Sequence, residues 1–480
     1  MGRTYRIRTL GCKANLSDSQ LLESNLQREG FSAAGPDEVP DLVIVNSCTV
    51  TNEADKQSRK AAEHAARDFP NATVVLTGCG AEVNPKAYAQ TPGLRYVVPN
   101  RKKTEWIQEI ASNFSGTVDT EVKILGDVVG YEEFSSRHPM DREWPLPEAV
   151  GEAPARLDPT QVYTHSSETS ARTRAFLKVQ EGCNAFCTYC VIPYGRGPSR
   201  SLPPSALLER VRTLVDQGVR EIVLTATNLG EYGVDLSLGG EPMLEYLVER
   251  ILAGSGVERL RLSSLDAREI SDRLISIMET ESRLCAHVHF SLQNIDSHIL
   301  KRMKRKYSGD DAIAKLHQLA QAQVSAPGGV YVGMDYITGF PGETEESFEA
   351  QKTLLQELPW HRLHVFPYSE REGTPAVKLS GSVPMRERKR RSQVLNTLSL
   401  ERGLEQGRRL IGKALAPVLL ESRVQGPDGE KNWWSGYTSN YHRVWVREVG
   451  QTFRRHEIIS VSARDILADR RNGDVILLSN

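Results

Sequence analysis

The sequence predicts an α/β chain built in three parts: an N-terminal doubly wound parallel sheet over residues 1–116, a central partial (βα)6 barrel over 174–410, and a small C-terminal β-barrel over 411–480. A linker at 117–173 separates the first two. Three observations carry this reading. In the first third, short apolar runs that each end in a cysteine alternate with helical stretches. From Arg174 onward six strand-like runs alternate with helices. After about Leu410 the helical periodicity stops and strand-like runs remain.

In the first part, Arg6 to Leu10 leads to Gly11-Cys12, Asp41 to Val45 leads to Cys48, and Thr73 to Thr77 leads to Gly78-Cys79. The intervening stretches are Asp18 to Glu29, stopped by Gly30, and the Ala-rich Thr51 to Phe69, stopped by Pro70. In a parallel sheet all strands deliver their carboxyl ends to one edge, where ligands bind. Neighbouring strands lie about 4.8 Å apart, so Cys12, Cys48 and Cys79 can converge on one object. A three-thiol cluster site is the economical explanation. The alternative is three small buried side chains, since free cysteine is often buried; three in phase, two of them after glycine, argue against it.

Residues 117–173 lose periodicity, with Pro139, Pro145, Pro147, Pro154 and Pro159 among acids and hydroxyl residues, and one candidate strand at Glu121 to Ile124. The second series has strand candidates Ala175–Val179, Glu221–Thr225, Arg259–Ser263, His287–Leu292, Val330–Ile337 and His361–Phe366. Helix candidates between them are Pro204–Gln217, Met243–Ala253, Ala267–Thr280, Asp310–Gln323 and Glu345–Glu357. Six units make an open barrel, and barrel chemistry sits at the carboxyl ends of strands. The loop after the first strand holds Cys183, Cys187 and Cys190 in C-x3-C-x2-C spacing. Zinc would call for a fourth Cys or His at ligand spacing, and none follows. Three corners of a 4Fe–4S cluster fit, with one iron left open. Polar groups mark the other strand ends: Asn228, Ser263 and Ser264, Gln293, and Asp335. His287 and His289 point the same way on their strand and are expected to line or support the barrel. Cys285 is expected to be structural.

A charged helix from Met385 to Leu410 precedes strand candidates Ala416–Val424, Asn440–Glu448, Glu457–Val461 and Asp474–Leu478. Basic residues gather there (Arg386, Arg388, Lys389 and Arg408 among them), with Trp433 and Trp434; a second basic run is Lys301 to Lys306. Cations with aromatics on a small barrel are a common way of holding single-stranded RNA; the other reading is a solvated helix face and an apolar core. Net charge is −1, so an anionic partner must be held by local patches. Seven cysteines with no signal-peptide core and no long apolar run lead one to expect reduced thiols, a cytoplasmic location and no membrane.

The cysteine loop, with the aromatic Tyr189 before its last cysteine, resembles the signature of the radical S-adenosylmethionine (SAM) enzymes. The longer string Glu181 to Gly197 is similar to that of the methylthiotransferases. Thr9-Leu-Gly-Cys-Lys-Ala-Asn15 with Asp18-Ser19, Asn46 to Asp55, and Thr77-Gly-Cys79 resemble that family's three N-terminal blocks. Gly339 to Thr344, and Val365 to Ser369 with Gly373 to Pro375, resemble later ones. Gly436 to Tyr441 with Val444 to Val446 is similar to its RNA-binding TRAM domain. Ala226, Asn294-Ile295 and Met334 depart from the family pattern.

The resemblance implies two 4Fe–4S clusters, an auxiliary one on Cys12, Cys48 and Cys79 and a SAM-binding one on Cys183, Cys187 and Cys190. Tyr189, Asn228, Ser263, Gln293 and Asp335 are the residues expected to bind SAM. The Gly-Cys-Lys-x-Asn form is most like the subgroup acting on threonylcarbamoyladenosine beside the tRNA anticodon. The implied reaction cleaves SAM by one electron, removes hydrogen from C2 of that base and installs a methylthio group. Implied partners are tRNA, SAM and an electron-donor protein, with a monomer expected. The alternatives are an isopentenyladenosine-tRNA or ribosomal-protein aspartate methylthiotransferase, and a non-catalytic iron–sulfur RNA-binding protein.

Overall fold

In a computed structural model of the chain, the described residues are 3–103, 106–112, 122–125, 173–237 and 239–479. Most of the expected linker at 117–173 lies outside them.

The first sheet has strands β1 (Thr4–Thr9), β2 (Ser32–Ala33), β3 (Leu42–Ser47), β4 (Thr73–Gly78), β5 (Tyr96–Val97) and β6 (Lys123–Ile124), all parallel, in the order β2-β1-β3-β4-β5-β6. The order reverses between β1 and β3, and ligands favour the crevice at such a switch point. Cys12 and Cys48 follow these two strands, and Cys79 follows the next. The helix after β1, α1 (Lys13–Arg28), starts directly behind Cys12, earlier than the expected Asp18, its first turn tied down by the Asn15 amide on Leu10 O and Ser47 O rather than by apolar periodicity. The helix α2 (Asn52–Asp68) is capped by Thr51, whose hydroxyl accepts from the Ala54 amide at 3.1 Å. A short helix, α3 (Cys79–Val83), opens on Cys79 itself.

The second unit runs β7 (Arg174–Glu181), β8 (Arg200–Ser201), β9 (Glu221–Ala226), β10 (Arg259–Leu262), β11 (Ser264–Leu265), β12 (His287–Gln293), β13 (Tyr331–Thr338) and β14 (Arg362–Pro367). Two parallel sheets, β10-β9-β7-β8 and β11-β12-β13-β14, are joined through a Leu260–Leu284 bridge into the expected open six-stranded barrel, with β8 as a short antiparallel edge. The helix expected from Ala267 begins instead at Asp272, where the Ser271 hydroxyl caps the Leu274 amide at 3.0 Å.

Alternation divides the barrel strands. Leu177, Val179, Ile222, Leu224, Leu260, Leu262, Val288, Phe290, Val332, Met334 and Leu363 face the helices and form the main apolar core. The opposite face carries Arg174, Phe176, Lys178, Glu221, Arg261, His287, His289, Asp335 and His364. Closed barrels fill the interior with branched aliphatic layers; here it is polar, with His289, Asp335 and His364 partly exposed and His287 buried.

The helix Met385–Leu410 packs on β14 and leads into the C-terminal sheet, β15 (Val418–Val424), β16 (Trp433–Thr438), β17 (Arg443–Arg447), β18 (Ile458–Ile459), β19 (Asp465–Asp469) and β20 (Asp474–Ser479), ordered β18-β15-β16-β17-β20-β19. Strands β16 and β19 were not expected. Strand β16 corrects the reading of its tryptophans: Trp433 and Trp434 are buried in the small core, their Nε1 groups donating to Asp428 and Glu448 at 3.0 Å each, so neither is free to stack on a base. Arg388 and Arg391 are likewise buried against Glu370 and Glu343. Arg386, Lys389, Arg408, Arg409 and Lys413 stay exposed.

This sheet docks on the amino-terminal ends of the barrel strands. Arg261 donates to Ser439 O at 3.0 Å and Thr438 O at 3.3 Å, and its guanidinium lies over the Tyr441 ring at 4.7 Å. Arg174 pairs with Glu421 at 2.7 Å. Glu221 sits beneath, 2.7 Å from Arg261. Burial alone would push its carboxyl up; Arg261, then Arg174 and Arg259, hold it down to about 2. Among the described residues no helix is long and apolar enough to cross a membrane.

Glu221→Gln is expected to cost on the order of 3 kcal/mol, because it strands buried guanidinium groups. The wild-type contribution is complete above the carboxyl's unfolded value and fades as pH falls towards the folded one. Urea unfolding from pH 6 to pH 3 should therefore show a loss that the variant lacks.

Candidate active site

The site begins with backbone. Gly11 has φ +91°, and a Cβ there would lie 2.5 Å from the Cys48 Sγ; the residue before Cys12 is glycine because the thiol of Cys48 occupies that space. Gly182, before Cys183, has φ +81°, and a Cβ there would meet the Pro198 carbonyl at 1.8 Å. Both cysteine loops thus need a bare backbone at their first turn.

Amide side chains tie the strand ends together. Asn15 donates to Leu10 O and Ser47 O, each at 2.8 Å, and Asn46 donates to Asn15 O at 2.8 Å and Ser19 Oγ at 3.0 Å. These bonds hold Cys12 and Cys48 in register. Ser47 Oγ accepts from the Gly80 amide at 3.1 Å, fixing the turn at Cys79. Burial pushes the Cys48 thiol up and the Cys79 thiol to about 12, Arg196 opposing in each case. Such thiols ionise only against a strong local cation.

In the barrel loop, the Ala185 amide donates to Cys183 Sγ, the Ile192 amide to Cys190 Sγ, and Arg305 Nη1 to Cys187 Sγ, each at 3.4 Å. Burial, then the charge of Cys187, pushes Cys190 to about 12; Cys79 adds in the same direction. The physical link is the helix Ile192–Arg196, which follows Cys190 and packs on α3, with Gly195 against Cys79: a Cβ on Gly195 would stand 3.4 Å from that of Cys79.

Arg196 ends this helix inside a buried charge cluster. It donates to Asn15 Oδ1 at 2.5 Å, Asp18 at 3.0 Å and Glu181 at 2.8 Å. Lys103 reaches Asp18 at 2.9 Å and Glu181 at 3.1 Å, and Lys178 reaches them at 2.6 Å and 3.0 Å. Burial would raise both acids, but Lys103, Lys178 and Arg196 hold them below the usual carboxylate range. A second clamp joins Asn52 to Ser369 Oγ at 3.0 Å and Glu370 O at 2.8 Å, with Arg371 on Asn52 at 2.5 Å.

Beside Cys187 lies a cavity of about 570 Å³, lined by Asn184, Asn228, Glu231, Asp266, Arg305 and neighbours. Its size suits a nucleoside-sized ligand. Of the five expected SAM contacts, Asn228 lines it. Asp335 faces the barrel interior, 3.0 Å from His289 Nε2. Ser263 follows Arg261 by two residues on that same face. Gln293 takes φ +63° where the β12–β13 register shifts. Tyr189 packs edge-on against Phe340 at 6.2 Å, in a cluster with Met303 and Tyr368. Sequence reasoning missed Arg196, Lys103 and Lys178 as partners, because ion pairs such as Lys103–Glu181 and Arg196–Asp18, 78 and 178 residues apart, leave no periodic signal. It saw Arg305 only as part of a basic run. Among the described residues no group of three His, Cys, Asp or Glu is placed to hold a single metal ion.

Residues 4–98 match the family described as uncharacterized protein family UPF0004, and residues 177–353 match the radical SAM superfamily. The fold resembles that of a radical SAM methyltransferase, TsrM, from Kitasatospora setae, with a TM-score of 0.52 at 15% identity over 90% of this chain and 82% of that one. Fold and cysteine loop together define a radical SAM protein. The chain is also 33% identical over 444 residues to the threonylcarbamoyladenosine tRNA methylthiotransferase MtaB of Bacillus subtilis, covering 92% of this chain and 90% of that one. It is 31% identical over 471 residues to the MtaB of Thermotoga maritima, covering 98% and 97%. The ribosomal protein uS12 methylthiotransferase RimO of Lachnoclostridium phytofermentans is 28% identical over 423 residues, 87% of each. The chain belongs to the radical SAM methylthiotransferase family and is of the MtaB type.

Asp18→Ala would leave Lys103, Lys178 and Arg196 facing one carboxylate. An expected loss on the order of 3–5 kcal/mol should appear in denaturant unfolding, with loss of hydrogen-exchange protection in α1.

Proposed function

We propose that this protein is a tRNA threonylcarbamoyladenosine methylthiotransferase, which replaces the C2 hydrogen of that base beside the anticodon with a methylthio group. The observation that carries the proposal is that the helix Ile192–Arg196, which follows Cys190, packs on the helix that opens on Cys79, with Gly195 against Cys79. The MtaB relatives supply the substrate class. Cys12, Cys48 and Cys79 would hold an auxiliary 4Fe–4S cluster, and Cys183, Cys187 and Cys190 the one that binds SAM. The donor set fits: three free thiols each, all but the exposed Cys12 buried or half-buried, with N–H donors on the barrel sulfurs.

Bound there, iron–sulfur clusters and SAM supply the one-electron chemistry that an unactivated C–H bond requires. The chain's own residues do the rest. Arg305 and the two loop amides hold the thiolates of 183–190 in place. Arg196 sets a fixed positive charge beside Cys79. Asn228, Glu231 and Asp266 offer acceptors to the amino and hydroxyl groups of SAM, and Lys304 and Lys306 make the cavity rim cationic. Ser263, Gln293 and Asp335 would serve SAM or substrate from the barrel interior, and Tyr189 would brace the cysteine loop. The exposed cations Arg386, Lys389, Arg408, Arg409 and Lys413 would meet the tRNA backbone by charge, without stacking. The enzyme would work in the cytoplasm as a monomer, supplied by an electron-donor protein.

Replacing all three cysteines of either set with alanine should leave about half of the wild-type iron after anaerobic reconstitution; unchanged iron in either variant sinks the two-cluster assignment. In a strain lacking the gene, mass spectrometry of digested tRNA should find threonylcarbamoyladenosine and none of its methylthio form. Persistence of the methylthio form would instead favour an isopentenyladenosine or ribosomal-protein substrate.

A further inference from the structure

Lys13 is the residue next to Cys12, at the first position of α1. Its side chain leaves the N-terminal sheet and enters the barrel. The ammonium stands 5.9 Å from the centre of the Phe176 ring, on the inner face of β7. The charged and titratable groups that act on it come from four directions: Arg174 on β7, Arg261 on β10, Asp335 on β13 and Tyr441 from the C-terminal sheet. It is walled by protein on most sides, yet its surface remains open to solvent. Those two facts together describe a side chain in a recess that opens to solvent rather than one on the outer surface.

The neighbouring guanidinium groups are already matched. Arg174 pairs with Glu421 and Arg261 with Glu221, while Asp335 lies 3.0 Å from His289 Nε2. Among the described residues the Lys13 side chain makes no ion pair and no hydrogen bond; its ammonium lies over the Phe176 ring. It is a cation held in a recess beside a cysteine set, with a place left for an anion. A lysine ammonium is a compact point charge that accepts a carboxylate from several angles.

We propose that Lys13 is a specificity-determining residue that binds the α-carboxylate of the threonylcarbamoyl group on the target adenosine. This rests on the tRNA reading given above. The chemistry of the base supports it. C2 and C6 of adenine both flank N1, so a base presented with C2 towards the Cys12 set brings its N6 substituent to the same side. Lys13 is one residue from Cys12 and so stands where that substituent arrives. An apolar N6 substituent would leave the ammonium without a partner and displace its water, which disfavours binding. An acidic one completes the recess.

The test is a double-mutant cycle in substrate and protein. Fluorescence anisotropy measures binding of the reconstituted holoenzyme to three anticodon stem-loops, bearing threonylcarbamoyladenosine, its methyl ester, or plain adenosine. Wild type is expected to bind the acid roughly tenfold or more tightly than the ester. Lys13→Met should bind acid and ester alike, and Lys13→Arg should restore most of the preference. In turnover assays Lys13→Met should raise KM for the acid stem-loop more than it lowers kcat, with KM for SAM and iron content unchanged. Equal wild-type binding of acid and ester overturns the proposal without the help of any variant. A uniform loss on all three stem-loops in Lys13→Met would assign the residue to the phosphate backbone, and a raised KM for SAM would assign it to the cofactor; either result also overturns it. If wild type fails to methylthiolate the acid stem-loop at all, the substrate reading falls first, and the two failures are distinct.

Discussion

The arrangement depends on five charges buried where two sheets meet. Asp18 belongs to α1, Lys103 to the turn after β5, Lys178 and Glu181 to β7, and Arg196 to the helix after the barrel cysteines. A buried ionic cluster seldom adds net stability over well-packed apolar groups, since desolvation offsets most of the attraction. What it supplies is uniqueness of docking. Two carboxylates can satisfy three cations only when all four segments are in one relative position, and any slip leaves a charge without a partner. Three cations against two acids also leave one positive charge in excess. Arg196 carries it towards Asn15 and Cys79, where three thiolates on iron would bring negative charge.

The barrel is organised in the opposite sense from a packed one. Its apolar core lies between strands and helices, and its interior is left to charged and imidazole groups. Burial holds His287 well below its usual range and His364 near 4, so these rings are neutral and act as polar walls. Such an interior would collapse or flood if open at both ends. The turn between β16 and β17 closes the lower end: Tyr441 stacks on Tyr437 at 4.9 Å and lies 4.3 Å from His287. The C-terminal sheet is thus a floor for the barrel as well as a candidate RNA contact. Of its aromatic residues, Trp433 and Trp434 belong to its core, while Tyr437 and Tyr441 face the barrel.

Much of this was legible in sequence because periodicity and punctuation are local. The strand ends at Cys12, Cys48 and Cys79 fell within a few residues of the expected places, and Met385–Leu410 matched to the residue. Short edge strands such as β8, β11 and β19 escaped, being only two to five residues long with mixed composition. Strand β16 escaped because Trp-Trp-Ser-Gly-Tyr-Thr does not alternate by polarity. At the site, the cysteines were visible because few other reasons place three at such spacing. Asp18, Asn15 and Asn46 were visible as motif letters without a job. Their work is with partners across β1, β3 and the barrel, and no local pattern encodes a partner 160 residues away.

The incompleteness of the barrel then has a structural reason. Six strands leave an opening between β14 and β7. The N-terminal sheet holds both sides of it: the charge cluster grips β7, and Arg371, just beyond β14, grips Thr49 and Asn52. Helix α1 lies against β7 and β9, so the segment carrying Cys12 and Lys13 sits at the mouth of the interior. A closed barrel would have filled that position with its own strands and kept a second cysteine set outside. An open one lets a separate sheet deliver three thiols and a cation to the rim where the first set already stands. A barrel left unfinished on one side gives a second sheet room to dock there, and Arg196, Arg371 and Lys13 are residues through which the N-terminal part and the barrel meet.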